Sequence, residues 1–317
     1  MPSLLDKRLV LVTGKGGVGK TTVAAALALA AVRRGKRTVV CELAEQKRIP
    51  TLFSSEGTEG ETEIAPGLFT ISVDPERAKD EWLRHQLKSR TLAGVLGASR
   101  LFQYLTAAAP GLSELVTIGK VWDLAQLERR TGGSVFDLAI VDAPATGHAL
   151  AMLTSPRTYA SVARLGPVGR QAEKIDRFLR DEASTGVLMT ALPEEIPVSE
   201  TIEFERSLRD ELGIGVDRIV VNALHPARFS ATEARALEGI AAAGGGTARA
   251  PVEPSAVARA ALAAALSEHR RARAEHAQLR RLRRAATAPV VTLPRVFEPE
   301  LGRDDVERLS AELERRL

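Results

Sequence analysis

The chain predicts an α/β fold built on a doubly wound, mostly parallel sheet with an inserted helical subdomain. Three observations carry that prediction. Short, continuously apolar runs, the pattern of strands buried on both faces, recur along all 317 residues. Helix-favouring stretches fill most of the gaps between them, the alternation that gives parallel sheets covered on both faces. A glycine-rich turn follows the first apolar run directly, and open α/β sheets place their ligands at the carboxyl ends of strands.

Taken in order, residues 9–12 read as the first strand, 14–22 as the glycine-rich loop, and 23–30 as an alanine- and leucine-rich helix that ends near Gly35. Further strands are expected at 37–41, 68–73, 138–141, 185–190, 218–221 and 289–293. The stretch 75–130 breaks the rhythm. It is long and helical, carries Trp82, Leu83, Leu87, Leu92, Val95, Leu96, Leu101, Phe102 and Leu105, and is expected to form an inserted subdomain within a single domain spanning 1–317. Its apolar residues suit either ordinary core or the wall of a groove for a hydrophobic client. Gly244–Gly246 marks a turn, and no internal repeat stands out.

The formal charge is only +4, but seven arginines (Arg270, Arg271, Arg273, Arg280, Arg281, Arg283 and Arg284) crowd residues 268–284. Without interleaved aromatics they read as a solvated helix face, and no nucleic-acid partner is expected. A single cysteine, Cys41, excludes an intramolecular disulfide and sits in a strand pattern, where it is expected to be buried and inert. The chain opens without a signal-peptide layout and has no apolar stretch of membrane-spanning length, so a cytoplasmic location without stable membrane insertion is expected.

The loop reads Gly14-Lys15-Gly16-Gly17-Val18-Gly19-Lys20-Thr21-Thr22. Glycines at these places let successive backbone N–H groups turn inward and cradle phosphate oxygens at a helix N-terminus. In that pattern Lys20 reaches the β- and γ-phosphates and the Thr21 hydroxyl serves Mg²⁺, so a nucleoside triphosphate is the expected ligand. Lys15, directly after the first glycine, is not required by the general pattern and marks its deviant form. A second anchor is 136–148, where a strand ends in Asp142 and the turn Pro144-Ala145-Thr146-Gly147-His148 follows. A carboxylate there sits beside the phosphate loop and can hold the Mg²⁺ shell, and the turn can sense the γ-phosphate.

These two segments, with Ala109-Pro110-Gly111 between them, resemble the ArsA-type family of arsenite-pump and tail-anchored-protein-targeting ATPases, essentially end to end. The family's second loop reads D-T-A-P-T-G-H, and this chain has one residue fewer between Asp and Pro. Leu192-Pro193-Glu194-Glu195 is similar to the family's P-E loop, which implies that Glu194 faces nucleotide across a dimer interface. Asn222, in Val221-Asn222-Ala223-Leu224, matches the adenine-reading asparagine, and Pro294-Arg295 takes the place of the loop on the adenine ring. The resemblance implies ATP and Mg²⁺ as cofactors and a nucleotide-sandwich dimer in which Lys15 crosses to the partner's nucleotide. A guanine-reading N-K-x-D element is missing at 221–224, which favours ATP over GTP.

One place departs from the family. Its water-orienting Asp, in an S-T-D-P-A-type loop, is replaced here by Ala44 within Cys41-Glu42-Leu43-Ala44-Glu45-Gln46. Glu42 and Glu45 are the two candidate substitutes. The altered loop resembles one subunit of the paired ArsA-like ATPases of actinobacteria and related bacteria. The expected function is thus an ATP-hydrolysing dimeric switch, homodimeric or paired with a paralogue, coupled to an unknown client. Two alternatives stand beside it: a weakly hydrolytic regulatory subunit, and a MinD- or ParA-like positioning ATPase. The second alternative usually ends in a membrane-targeting amphipathic helix or carries a DNA-binding basic patch, whereas residues 304–317 are charged on most faces and lack a large apolar stripe. The cysteines expected for a bridging zinc or for arsenite are absent.

Overall fold

The computed structural model describes residues 3–43, 48–57, 60–79, 111–129, 133–162, 167–243 and 255–317. Within them eight strands form one sheet: β1 (Leu9–Gly14), β2 (Thr38–Leu43), β3 (Thr62–Ala65), β4 (Leu68–Val73), β5 (Leu138–Asp142), β6 (Thr185–Ala191), β7 (Arg218–Leu224) and β8 (Val290–Pro294). Their order is β3-β4-β2-β5-β1-β6-β7-β8, and every pair is parallel except β3 with β4. The expected doubly wound α/β class is thereby found. All seven strands read from apolar runs are present. β3 was not expected: it is a four-residue edge strand of mixed polarity, too short to carry a periodic signal.

Successive residues of the central strands feed two separate cores, as a period of two requires. Leu9 and Leu11 point to one face, with Val39, Cys41, Val141, Val187 and Met189. Covering that face are α3 (Leu112–Leu124), α4 (Thr146–Val162), α5 (Pro167–Arg180), α6 (Glu195–Ser207) and the long α8 (Ala256–Ala285). Val10 and Val12 point to the other face, with Val40, Ile140 and Leu188. There α1 (Lys20–Arg33) is buried from Val23 to Ala31, because it lies between the sheet and α9 (Arg303–Glu314). A helix wetted on no side must be apolar all round, and its alanines allow close approach. The remaining described helices, α2 (Arg48–Leu52) and α7 (Ala231–Ala243), lie respectively after β2 and between β7 and α8.

Of the segment 75–130, α3 contributes Ile118, Val121 and Leu124 to the main core, while residues 80–110, which hold most of its apolar side chains, lie outside the described residues. The terminal helix α9 docks Val306, Leu309 and Leu313 on the core beneath α1, so its apolar stripe is already used. No helix among the described residues is long and apolar enough to cross a membrane. Cys41 is buried, and burial pushes its thiol up to about 12, as expected of an inert cysteine.

Since α1 carries the phosphate loop at its start, its packing sets the loop's position. Leu27 is fully buried in that helix. Leu27→Ala is expected to cost about 2–5 kcal/mol of unfolding free energy, read as a lower denaturant midpoint at unchanged slope.

Candidate functional site

Three strand ends meet at the place where the sheet's winding reverses. β1 lies between β5 and β6, with Val12 opposite Asp142 and Gly14 opposite Thr190, and Glu42 at the end of β2 is opposite Asp142 from the other side. The phosphate loop, Asp142 and Glu42 are therefore fixed relative to one another by backbone pairing before any side chain acts. A cavity of about 900 Å³ opens above them, lined by Gly16, Gly17, Gly19, Lys20, Thr21 and Thr22 on one side, by Asp142 and Ala143–Ala145 on a second, and by Leu43, Arg48, Thr51 and Leu52 on a third.

The loop needs its glycines for space as well as for conformation. At Gly14 (φ +148°) a Cβ would stand 2.1 Å from the backbone oxygen of Thr190, and at Gly19 (φ +88°) 2.3 Å from the Asn222 amide nitrogen. Val18 is buried beneath the loop, and its carbonyl accepts a 3.0 Å hydrogen bond from Asn222 Nδ2. Asn222, matched in sequence to an adenine reader, thus braces the phosphate loop from β7. Ala223 beside it holds φ +54°, a left-handed conformation that costs a non-glycine residue about 1–2 kcal/mol. Lys20 Nζ donates to the Lys15 carbonyl at 3.0 Å, arching back over the loop. Burial lowers its pKa, and the nearby Asp142 charge opposes that shift.

Thr21 Oγ1 donates to Asp142 Oδ2 at 2.6 Å, and Asp142 Oδ1 is buried with no hydrogen-bond partner among the described residues. Burial raises the Asp142 pKa, against the Thr21 hydrogen bond and the Lys20 charge. A buried carboxylate oxygen without a donor is costly unless a cation or ordered water meets it. Thr21 and Asp142, the two residues expected at the metal, are thus brought together with one acceptor to spare.

Glu42 is 2 % exposed. Its Oε1 accepts the backbone N–H groups of Arg48 at 2.7 Å and Ile49 at 3.0 Å, so it caps α2. Glu45 and Ala44 lie outside the described residues. Lys15 does not line the cavity of its own chain; Nζ pairs with Glu200 of α6 at 2.7 Å, both side chains being more than one-third exposed. Glu194 stands exposed just before α6, and Pro294 and Arg295 are exposed at the end of β8, so none of the three lines the cavity. Arg48 was missed by motif reading; its only signal is a basic residue soon after the strand that flanks Asp142.

Burial first, and the Asp142 charge to a lesser extent, push the Glu42 carboxyl up to about 7, against its two N–H bonds and Arg48. A carboxyl whose folded pKa exceeds its unfolded value near 4.5 binds more protons when folded, so its contribution is complete below that value and is lost as pH rises through about 7. In metal- and nucleotide-free protein, unfolding midpoints are expected to fall across this window. Glu42→Gln, which keeps an acceptor for α2, removes the Glu42 share of that slope; an unchanged slope contradicts the assignment.

Comparison with known proteins agrees with this geometry. The anion-transporting ATPase family matches residues 7–166, which contain the phosphate loop, Glu42 and Asp142. The chain is 31 % identical over 240 residues to the ATPase BagA of Mycobacterium tuberculosis, covering 73 % of this chain and 70 % of that one. It is 26 % identical over 275 residues to the ATPase GET3C of Arabidopsis thaliana, covering 71 % and 69 %. Half of the chain thus matches the family, with the phosphate loop and its carboxylate inside that half, and the protein belongs to the anion-transporting ATPase family and is itself an ATPase.

Proposed function

We propose that the protein is a Mg²⁺-dependent, ArsA-type dimeric switch: two subunits close on ATP, Lys15 of each reaches the nucleotide of the other, and closure alters a client surface on the 75–130 segment. The observation that carries this reading is the placement of Lys15. A lysine within the phosphate loop that faces out of its own cavity, held by a half-exposed Glu200, is free to reach a neighbour's site.

Lys20 supplies charge to the β- and γ-phosphates, which compete with the Lys15 carbonyl for its ammonium protons. Thr21 and Asp142 are the residues that would hold Mg²⁺, and the spare Asp142 oxygen supports that fit. When bound, Mg²⁺ neutralises phosphate charge, and it characteristically takes few protein ligands alongside substrate oxygens and water. The backbone of Gly16–Gly19 and the wall at Ala143–Ala145 exclude water around the phosphates.

A second reading, a weakly hydrolytic subunit acting with a paralogue, is favoured by Glu42. Its Oε1 is engaged by two backbone N–H groups instead of facing the cavity as a free base. Turnover of the chain alone and mixed with a paralogue separates the readings: an ATPase rate that rises several-fold only on mixing selects the paralogue pair.

For the dimer itself, Lys15→Ala is expected to bind ATP normally yet hydrolyse it about 10³- to 10⁵-fold more slowly, the range over which a trans-acting charge contributes. Solution mass with ATP is expected to double relative to the nucleotide-free protein. Near-normal turnover of Lys15→Ala would sink the sandwich dimer.

A further inference from the structure

We propose that Arg48 is a second catalytic cation, supplied in cis, whose guanidinium binds the γ-phosphate of ATP in the cavity of its own chain. The inference rests on the ATPase reading but not on the dimer.

The position of Arg48 is built. It is the first residue of α2, its backbone N–H and that of Ile49 are both held by Glu42, and the next two side chains, Ile49 and Pro50, are buried in the core beneath α1. Glu42 itself is in register with Asp142. The Cα of Arg48 is thus tied through one buried carboxylate to the strand end that carries the metal-binding candidate. From there the exposed side chain forms part of the lining of the cavity that holds the phosphate loop.

Among the described residues its charge is not consumed by a neighbour. No described residue forms an ion pair with the Arg48 guanidinium, although several other exposed arginines find carboxylates. It is close enough to Lys20 to lower that pKa and to Asp142 and Glu42 to oppose theirs. Two cations facing one small cavity repel each other until a polyanion enters. Lys20, in the loop, serves the β- and γ-phosphates, and Arg48, on another part of the same cavity lining, adds a second cation for the γ-phosphate. A guanidinium offers a planar fork of N–H donors that matches two phosphate oxygens, which a lysine does not.

In the reaction, the oxygen of water forms a bond to the γ-phosphorus while the bond from that phosphorus to the β–γ bridging oxygen breaks. The bonding pair stays with ADP, and the proton lost by water ends on the released phosphate. Negative charge moves onto the γ- and bridging oxygens as this occurs, and a guanidinium on the γ-oxygens stabilises it.

The test compares wild type, Arg48→Ala and Arg48→Lys. Affinity for ADP and for the non-hydrolysable analogue AMP-PNP is measured first, since it needs no turnover. Arg48→Ala is expected to lose about 10- to 100-fold in AMP-PNP affinity with ADP affinity unchanged, and Arg48→Lys to fall between. Equal losses for both nucleotides, or none, overturn the proposal. Single-turnover hydrolysis by Arg48→Ala is expected to slow about 10³-fold, and a wild-type rate overturns the catalytic role. Mixing Arg48→Ala with Lys15→Ala then separates cis from trans. If Arg48 acts in cis and Lys15 in trans, each mixed dimer holds one intact site, and about a quarter of wild-type turnover returns. No recovery from two inactive, ATP-dimerising variants overturns the cis assignment. A Lys15→Ala chain that hydrolyses normally sinks the dimer reading instead and leaves the affinity comparison to judge Arg48.

Discussion

The site depends on the parallel pairing that holds β1 between β5 and β6. Val12 opposite Asp142, Glu42 opposite Asp142 and Gly14 opposite Thr190 are one set of registers, and they put the phosphate loop and both acidic residues at one carboxyl edge. Because side chains alternate along a strand, a slip of one residue in β5 would turn Asp142 to the opposite face and carry Ile140 out of its core. The buried apolar faces forbid that slip, so the hydrophobic cores on the two faces of the sheet are what aim the carboxylate at Thr21.

That arrangement concentrates charge where water is scarce. Glu42, buried, and Asp142, half-buried with its Oδ1 shielded, are adjacent carboxyls, and burial raises both pKa values. Each is tolerated through donors: two backbone N–H groups for Glu42, the Thr21 hydroxyl and the Lys20 charge for Asp142. An acceptor is left over on Asp142. In the proposed function, the ligand of this site brings positive charge to the Asp142 oxygen and negative charge to Lys20 and Arg48. A metal–polyphosphate complex does both at once. The positive φ of Ala223, next to the asparagine that braces the loop, is the same trade in backbone terms.

Much of this was legible in the sequence, because the signals were local. Continuous apolar runs announce strands buried on both faces, which is why seven strands could be read and the short, half-polar β3 could not. The phosphate loop is recognisable because glycine is required at Gly14 and Gly19 by contacts with Thr190 and Asn222, and such contacts leave few alternatives. Asp142 followed from its place at a strand end. What pattern reading could not supply were relations between distant segments. Nothing at positions 42 and 48 says that a glutamate caps the turn carrying an arginine, and nothing at 15 and 200 says that the two side chains meet. Glu42 is a candidate water-positioning carboxylate by its location alone; the hydrogen bonds on Oε1 depend on how the chain returns after β2.

The pairing of Lys15 with Glu200 also bears on how the proposed switch is poised. A buried ion pair would hold the lysine at a cost of several kcal/mol to break, whereas a pair whose partners are each more than one-third exposed contributes about 0–1 kcal/mol. Glu200 thus orients the ammonium without locking it, and in the proposed dimer a triphosphate offered by a second subunit outcompetes a single carboxylate. Arg48 differs in kind: its backbone N–H is clamped by Glu42 and the two residues after it are buried. One cation is held loosely on the outer face and the other is anchored beside the cavity. In that division the rigid group suits recognition of the bound γ-phosphate, and the loosely held one suits an event that must wait for a second molecule to arrive.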